Sequence, residues 1–311
     1  MTAAQATAQG GAAAGQARRG RAKNAFPAAE AWLLLLPSLV LFAAFTHGPV
    51  LTTLYDSLFS TPRGARPSRF VALGNYEDMI ADPIFWKALT NNMIYALGTI
   101  PVSVALALAM ALFVNSAIPG RGLLRMAYFT PTVLPMIAVA NIWLFFYTPD
   151  YGLLDQALRL FGFGATNWLG TPATALGAVM AVTIWKEAGF FMIFYLAALQ
   201  NIPPDLIEAA AIEGASPATT FRRITWPLLM PVTLFVLVNA VINAFRTVDH
   251  IFVMTGGGPN NATNVLLFHL YTVGFKFWDQ GYATALTVVL LAILGAMSFI
   301  QFLAGRRAHY Q

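Results

Sequence analysis

Six stretches of this chain are each long and apolar enough to cross a bilayer, at roughly residues 31–55, 88–117, 126–148, 171–199, 228–252 and 281–304. Spanning about 30 Å of hydrocarbon takes about 20 apolar helical residues. Backbone N–H and C=O groups find no water there, so only helices or closed barrels can cross. Runs of this length without period-two alternation read as helices. Composition agrees, because 58% of residues are hydrophobic and only 10% are charged, which a soluble domain of this size would hardly tolerate. The expected fold is an all-α integral membrane protein with six transmembrane helices. Residues 1–29 are Ala/Gln/Gly-rich and then basic, a composition that buries no core and is expected to be a disordered tail. Residues 30–311 are expected to form the transmembrane domain.

Basic residues set the expected orientation. Arg18, Arg19, Arg21 and Lys23 precede the first apolar stretch, and Arg306 and Arg307 follow the last. Arg121, Arg125, Arg222 and Arg223 fall on the same side of a six-span chain. Tails and short loops weigh most in the positive-inside rule, so both termini are expected in the cytoplasm. The Arg18-Arg19 pair reads as the positive flank of an uncleaved span, because the apolar run after it exceeds the core of a signal peptide. The net charge of +5 thus expresses topology. No basic stripe interleaved with aromatics points to nucleic acid.

Between the fourth and fifth stretches lies a polar segment built from helix starts and stops. Pro203 and Pro204 can open a helix, since a first turn needs no proline N–H. Glu208 to Ile212 continue it with strong formers and small side chains. Gly214 breaks it, Ser216 can cap a second helix with Pro217 in its first turn, and Pro227 is expected to close the unit. A short helix–turn–helix with an alanine face suits docking by another protein.

Here the resemblance to a family is specific. Glu208-Ala209-Ala210, then Gly214 after three residues, then Ile224 and Trp226-Pro227 keep the spacing of the signature loop of binding-protein-dependent ABC importer permeases. Trp226 stands where leucine is usual, and Glu213 where aspartate is usual. Further segments resemble the maltose-type carbohydrate permeases, on the side of the larger maltose permease subunit. They are Phe70–Tyr76, Arg121–Arg125, Val182–Lys186, Leu199–Pro203, Phe245–Asp249 and Thr255–Pro259. The resemblance implies an ABC importer permease fold whose cytoplasmic coupling loop, 204–226, meets an ATPase through Glu208, Ala209, Ala210, Glu213, Gly214 and Ala215. It implies a second homologous permease subunit, two ATP-binding subunits and an extracytoplasmic solute-binding protein as partners. ATP and magnesium would be bound by those ATPases and no cofactor by this chain, which would be a multi-pass protein of the bacterial inner membrane and no enzyme.

The residues themselves agree that chemistry lies elsewhere. No Gly-x-x-x-x-Gly-Lys-Ser/Thr loop occurs, and none of the four lysines follows a glycine. His47, His250, His269 and His309 lack metal-ligand spacing. With no cysteine, disulfides and thiol chemistry are excluded. Gly256-Gly257-Gly258 reads as a flexible external turn before a re-entrant amphipathic stretch, Val265–Phe277, and not as a phosphate cradle.

Polar groups inside the apolar stretches carry the cargo argument, since an ionisable group in a span is costly and faces the bundle interior. Lys186 and Glu187 are adjacent and point about 100° apart on a helix. Arg246 and Asp249 are three apart, share a helical face and are expected to pair. Asn243 and Thr247 recur at i and i+4. Positions resembling the maltose subunit's sugar site are Glu187, Phe190, Asn243, Ala244 and Thr247, although Ala244 brings no polar group. Trp185 and Phe190 offer rings for the apolar face of a sugar. The expected substrate residues are Trp185, Glu187, Phe190, Asn243, Arg246 and Thr247. Asn91, Asn92 and Asn141 are expected to hydrogen-bond between helices, and Pro37, Pro101, Pro131 and Pro135 to kink theirs.

The expected function is the permease subunit of an ATP-driven sugar importer working by alternating access. Two readings compete: a permease of the same fold for glycerol phosphate or another small polar solute, and a secondary transporter using Arg246 and Asp249 as proton groups. The orientation is directly testable because the chain has no native cysteine. Ser216→Cys should react only from the cytoplasmic side, and Asn261→Cys only from outside. Labelling of Ser216→Cys by an impermeant reagent in intact cells would invert the topology.

Overall fold

The computed structural model describes residues 28–308 apart from 65 and 117. Residues 1–27 of the expected tail, with all four of its basic residues, lie outside the described residues. The chain divides into two compact units, residues 1–53 and 54–311. The first unit holds α1 (Ala28–Phe42), a π turn (Ala43–His47) and the start of α2 (Gly48–Asp56). Trp32–Asp56 forms one apolar helical run, with Pro37 inside α1.

In the second unit, α3 (Gly74–Ala81) leads to α4 (Pro83–Asn115), then α5 (Arg121–Val133), α6 (Met136–Phe146) and α7 (Leu153–Arg159). Next come α8 (Pro172–Gln200), α9 (Pro204–Ile212), α10 (Pro217–Thr220) and α11 (Trp226–Arg246). The chain ends with α12 (Asp249–Met254), α13 (Leu266–Tyr271) and α14 (Gln280–Ala308). Among the described residues there is no strand, only the isolated bridges Phe59↔Phe70 and Arg63↔Arg66. Five helical segments are long and apolar enough to cross a membrane, and a sixth if α5 and α6 form one span bent by 103°.

The bend follows from Pro135. A residue before proline is pushed out of the helical region, and Leu134 is extended, at φ −73° and ψ 136°. Pro101 and Pro131 sit within continuous helices. A helix that ends inside a bilayer leaves carbonyls without donors. Lys186 of α8 supplies them: its ammonium donates to the carbonyls of Pro131, Thr132 and Leu134 at 2.9, 3.2 and 2.5 Å. The positive charge also suits the negative end of the α5 dipole.

α4 and α8 make the most extensive helix pair. Buried Ala107 and Ala111 let Phe191, Met192 and Tyr195 approach, and Leu229 and Val236 of α11 close this cluster. A second cluster joins Tyr95, Phe245, Ile251, Leu266 and Leu286. Polar side chains tie the irregular segment after α12 to α4. Asn91 donates to the carbonyls of Asn261 (2.7 Å) and Asn264 (2.9 Å). Asn92 donates to the Ala244 carbonyl (3.3 Å) and accepts from the Leu266 amide (3.2 Å). Asn92 thus bridges helices as expected, whereas Asn91 ties its helix to the irregular segment and not to another span. Asn141 does neither: it is exposed and turns back on the Ile137 carbonyl of its own helix, 2.8 Å away. The Gly256–Gly258 turn is knitted by Thr263, whose hydroxyl donates to the Gly258 carbonyl at 2.7 Å. The stretch after it forms α13 and a π turn, Thr272–Lys276, with Leu266, Phe268 and His269 buried and Phe275 and Phe277 exposed.

α5 crosses α8 at Gly189, where an added Cβ would stand 2.0 Å from the Tyr128 carbonyl oxygen. Only glycine fits, because backbone cannot yield as a flexible side chain can. Gly189→Ala is expected to cost about 1–3 kcal/mol by overpacking. Gly177→Ala on the same helix meets nothing within 4 Å and should be neutral or slightly stabilising. Thermal unfolding of the two detergent-purified variants checks this, and equal midpoints would contradict it.

Candidate functional site

The polar segment after α8 folds by local rules. Pro204 occupies the first turn of α9. Gly214 is left-handed at φ +76°. The Ala215 amide reaches back to the Ala210 carbonyl (2.9 Å), and the Gly214 amide to Ala211 (3.0 Å), a Schellman stop that uses glycine at C′. Ser216 caps the next helix by accepting from the Thr219 amide at 3.3 Å, with Pro217 following. One expectation fails: Pro227 does not close the unit. A π turn, Phe221–Thr225, carries the helix from α10 straight into α11, and Pro227 sits in the first turn of α11. The segment is therefore joined to the membrane helix without a break, and Trp226 is half-buried, its ring 6.3 Å from that of Phe221.

Of the expected coupling residues, Glu208, Ala209, Glu213 and Gly214 are exposed, Ala215 is half-buried and Ala210 is buried. Leu206, Ile207 and Ile212 are also uncovered, Ile212 to 88%. A short helix showing three aliphatic side chains beside a carboxylate has the make-up of an interface and not of a solvated face.

A cavity of about 320 Å3 opens at the surface of the second unit. Thr183, Lys186 and Glu187 of α8 form one wall, and Asn243 and Arg246 of α11 another. Thr247, Val248, Asp249 and His250 complete it, with Met136 from the start of α6. The cavity exists because two helices stop there. α5 ends at Leu134, and α11 ends at Arg246, where Thr247 turns extended at ψ 120°. The Thr247 hydroxyl donates to the Asn243 carbonyl freed by that stop, at 2.8 Å. The side chains of Glu187 and Asn243 interact across the cavity.

The structure brings together Glu187, Asn243, Arg246 and Thr247. Trp185 and Phe190 do not reach the cavity. Two residues before Glu187 the helix has turned about 200°, so Trp185 faces an apolar groove and packs edge-on against Trp143 at 5.7 Å. Phe190 lies nearly a turn further on and packs against Phe194 at 5.2 Å. Ala244 is buried away from the cavity.

Two expected ion-pair partners must be corrected. Arg246 and Asp249 are both exposed, and no ion pair joins them, because the helix that would have put them on one face is broken between them. Among the described residues Lys186 has no acidic partner and serves backbone carbonyls instead.

Sequence reasoning missed a buried polar cluster behind the cavity. The Tyr95 hydroxyl lies 2.5 Å from that of Thr183, and His250 Nε2 lies 3.1 Å from Thr183 and 3.4 Å from Tyr95. His250 and Tyr95 are fully buried. Thr183 stands four residues before Glu187, so helical spacing already placed it on the same face. His250 carried no signal as one of four scattered histidines.

Comparison with known proteins places the chain. Residues 103–310 match the family described as binding-protein-dependent transport system inner membrane component, and the chain belongs to that family. It is thus a multi-pass membrane permease component of an ABC importer that works with an extracytoplasmic binding protein. It is 34% identical over 278 residues to the trehalose/maltose transport system permease protein MalF of Thermococcus litoralis, covering 88% of this chain and 93% of that protein. It is also 34% identical over 282 residues to the sn-glycerol-3-phosphate transport system permease protein UgpA of Agrobacterium fabrum, covering 90% and 96%. The fold matches a bacterial alginate ABC transporter solved in complex with an alginate pentasaccharide-bound periplasmic protein. The TM-score is 0.80 at 21% identity, over 90% of this chain and 95% of that one.

The left-handed turn gives a direct test of the loop. A side chain at Gly214 would meet nothing within 4 Å, so any cost is backbone strain of about 1–2 kcal/mol, and more for a β-branched residue. Gly214→Val should abolish transport with normal membrane abundance, while Gly214→Asn, which tolerates this conformation, should retain most of it. Wild-type uptake by Gly214→Val would refute the role of the turn.

Proposed function

We propose that this chain is the sugar-translocating permease subunit of an ABC importer, paired with a second homologous permease above two ATP-hydrolysing subunits. Both termini face the cytoplasm, and 204–226 is the loop that docks on an ATPase. Cargo delivered by the extracytoplasmic binding protein enters a path between the two permeases and meets Glu187, Asn243 and Thr247. Exposed Leu206, Ile207 and Ile212 seat the loop on the ATPase, with Glu208 facing it, and movement there reopens the path to the other side.

The observation that carries the sugar reading is the charge balance of the cavity. Lys186 is spent on three carbonyls, so two carboxylates, Glu187 and Asp249, stand against one uncommitted cation, Arg246. Such a wall suits a neutral polyol, whose hydroxyls donate to carboxylate and amide oxygens. The relative that carries trehalose or maltose by name points the same way. A second reading keeps one observation in its favour: among the described residues Arg246 has no acid within ion-pair distance, and a relative of equal identity is named for glycerol phosphate. A phosphate would use that guanidinium.

Uptake by cells expressing the complete importer separates the two. Asn243→Ala removes one neutral hydrogen bond worth about 0.5–1.5 kcal/mol, so sugar uptake should fall several-fold with assembly intact. Arg246→Gln should leave uptake of a neutral sugar within a few-fold of wild type. Competition by glycerol 3-phosphate and not by neutral disaccharides, with uptake lost in Arg246→Gln, would replace the sugar reading with the phosphate one.

A further inference from the structure

The segment between α2 and α3 does more than connect them. We propose that the hairpin at residues 57–73 is a docking contact for an acidic, mixed-charge face of the extracytoplasmic solute-binding protein, read by Arg66 and Arg69. This rests on the importer function proposed above.

Position comes first. α11 runs from the coupling loop to Arg246, so the loop marks one end of the bundle. The hairpin is fixed to the other end, at the starts of α3 and α14. Asn75 donates to the carbonyls of Ser57 (2.8 Å) and Phe59 (2.9 Å). Thr61 donates to Asp279 at 2.5 Å and accepts from the Gly281 amide at 2.8 Å. The hairpin's own stem is closed by backbone bonds, Ser60 to Arg69 at 2.8 Å and reciprocal bonds between Arg63 and Arg66 at 3.1 and 3.0 Å. It is therefore held in shape before any partner arrives, which spares a complex the cost of ordering it.

Charge comes second. A cavity of about 440 Å3 lies beneath the hairpin, lined by Arg63, Arg66, Arg69, Asp78, Asp82 and Asp279 among others. Two of these carboxylates are already engaged. Asp279 takes Thr61 and Arg63, the latter at 3.4 Å. Asp82 caps the Ile84 amide and accepts from the Tyr282 hydroxyl, both at 2.8 Å. Arg66 and Arg69 are exposed, and their guanidinium groups make no hydrogen bond or ion pair among the described residues. Their roles in the stem use backbone atoms alone. A free guanidinium favours bidentate pairing with a carboxylate. Phe70, 66% exposed, and Leu73, 60% exposed, flank them, and arginine beside an aromatic ring is a combination that dominates protein interfaces. A lipid surface offers phosphates of one sign. The cavity presents two free arginines beside Asp78, whose carboxylate would repel phosphates, so a patterned protein face fits better.

The test uses the complete importer in nanodiscs, with ATP hydrolysis followed as its solute-binding protein is titrated. Arg66→Glu/Arg69→Glu should raise the half-saturating concentration of binding protein about 10-fold or more at ~50 mM salt. The gap should narrow at ~500 mM, where the screening length falls to a few ångströms. Hydrolysis without binding protein should not change, which reports an intact assembly. Arg66→Gln/Arg69→Gln should shift half-saturation by a smaller factor and serves if the doubly reversed variant folds poorly. Unchanged half-saturation in both variants overturns the docking contact while leaving the importer reading standing. A shift that vanishes when phosphatidylcholine replaces phosphatidylglycerol assigns the arginines to lipid and overturns it as well. If the binding protein fails to stimulate even the wild-type importer, the importer reading falls and takes the docking contact with it.

Discussion

A helix that breaks inside a bilayer must find donors for the carbonyls its break releases, and most of what is distinctive in this molecule follows from how that need is met. Pro135 ends α5 at membrane depth, and the ammonium of Lys186 collects three of the freed carbonyls. That contact fixes the inner half of the third span against α8, and Gly189 allows the backbones to meet there. At the second break, after Arg246, Thr247 answers the Asn243 carbonyl and Asn92 answers that of Ala244. Side chains thus answer several of the freed carbonyls at both places, and an opening lies where the two stops come together.

The opening is the cavity. Its walls belong to α8 and to the two sides of the break in the fifth span, so its shape depends on how those sides are aligned. On one side of the break, α11 is continuous through the π turn with α10. On the other, α12 and the following turn are bound to α4 through Tyr95, Asn91 and Asn92. One side of the break is thus continuous with the segment after α8, and the other is bound to α4. A cavity so divided changes shape whenever the two sides of the break shift against each other.

Local rules were legible from the residues alone. The helix stop at Gly214, the cap at Ser216 and the bridging role of Asn92 each depend on a few neighbours or on the general shortage of partners in a membrane. What could not be read depended on register between distant segments. The role of Lys186 is set by where another helix ends, 52 to 55 residues earlier. The pairing of Arg246 with Asp249 assumed a helix running through residue 247, and one extended residue removed it. Residue type alone groups Trp185 with the substrate residues, although its angle on α8 turns it the other way. Pro227 looked like a terminator because a proline usually stops a helix, yet the π turn before it keeps the helix going.

That π turn has a mechanical consequence. From Pro217 to Arg246 the chain is one helical rod, which at about 1.5 Å per residue is roughly 45 Å long. A tilt of about 5° at its Pro217 end sweeps the far end through about 4 Å, more than the length of a hydrogen bond. A small rocking of the segment before α11 is therefore geared up at Asn243 and Arg246, which travel farther than a hydrogen bond reaches while the foot of the rod barely moves.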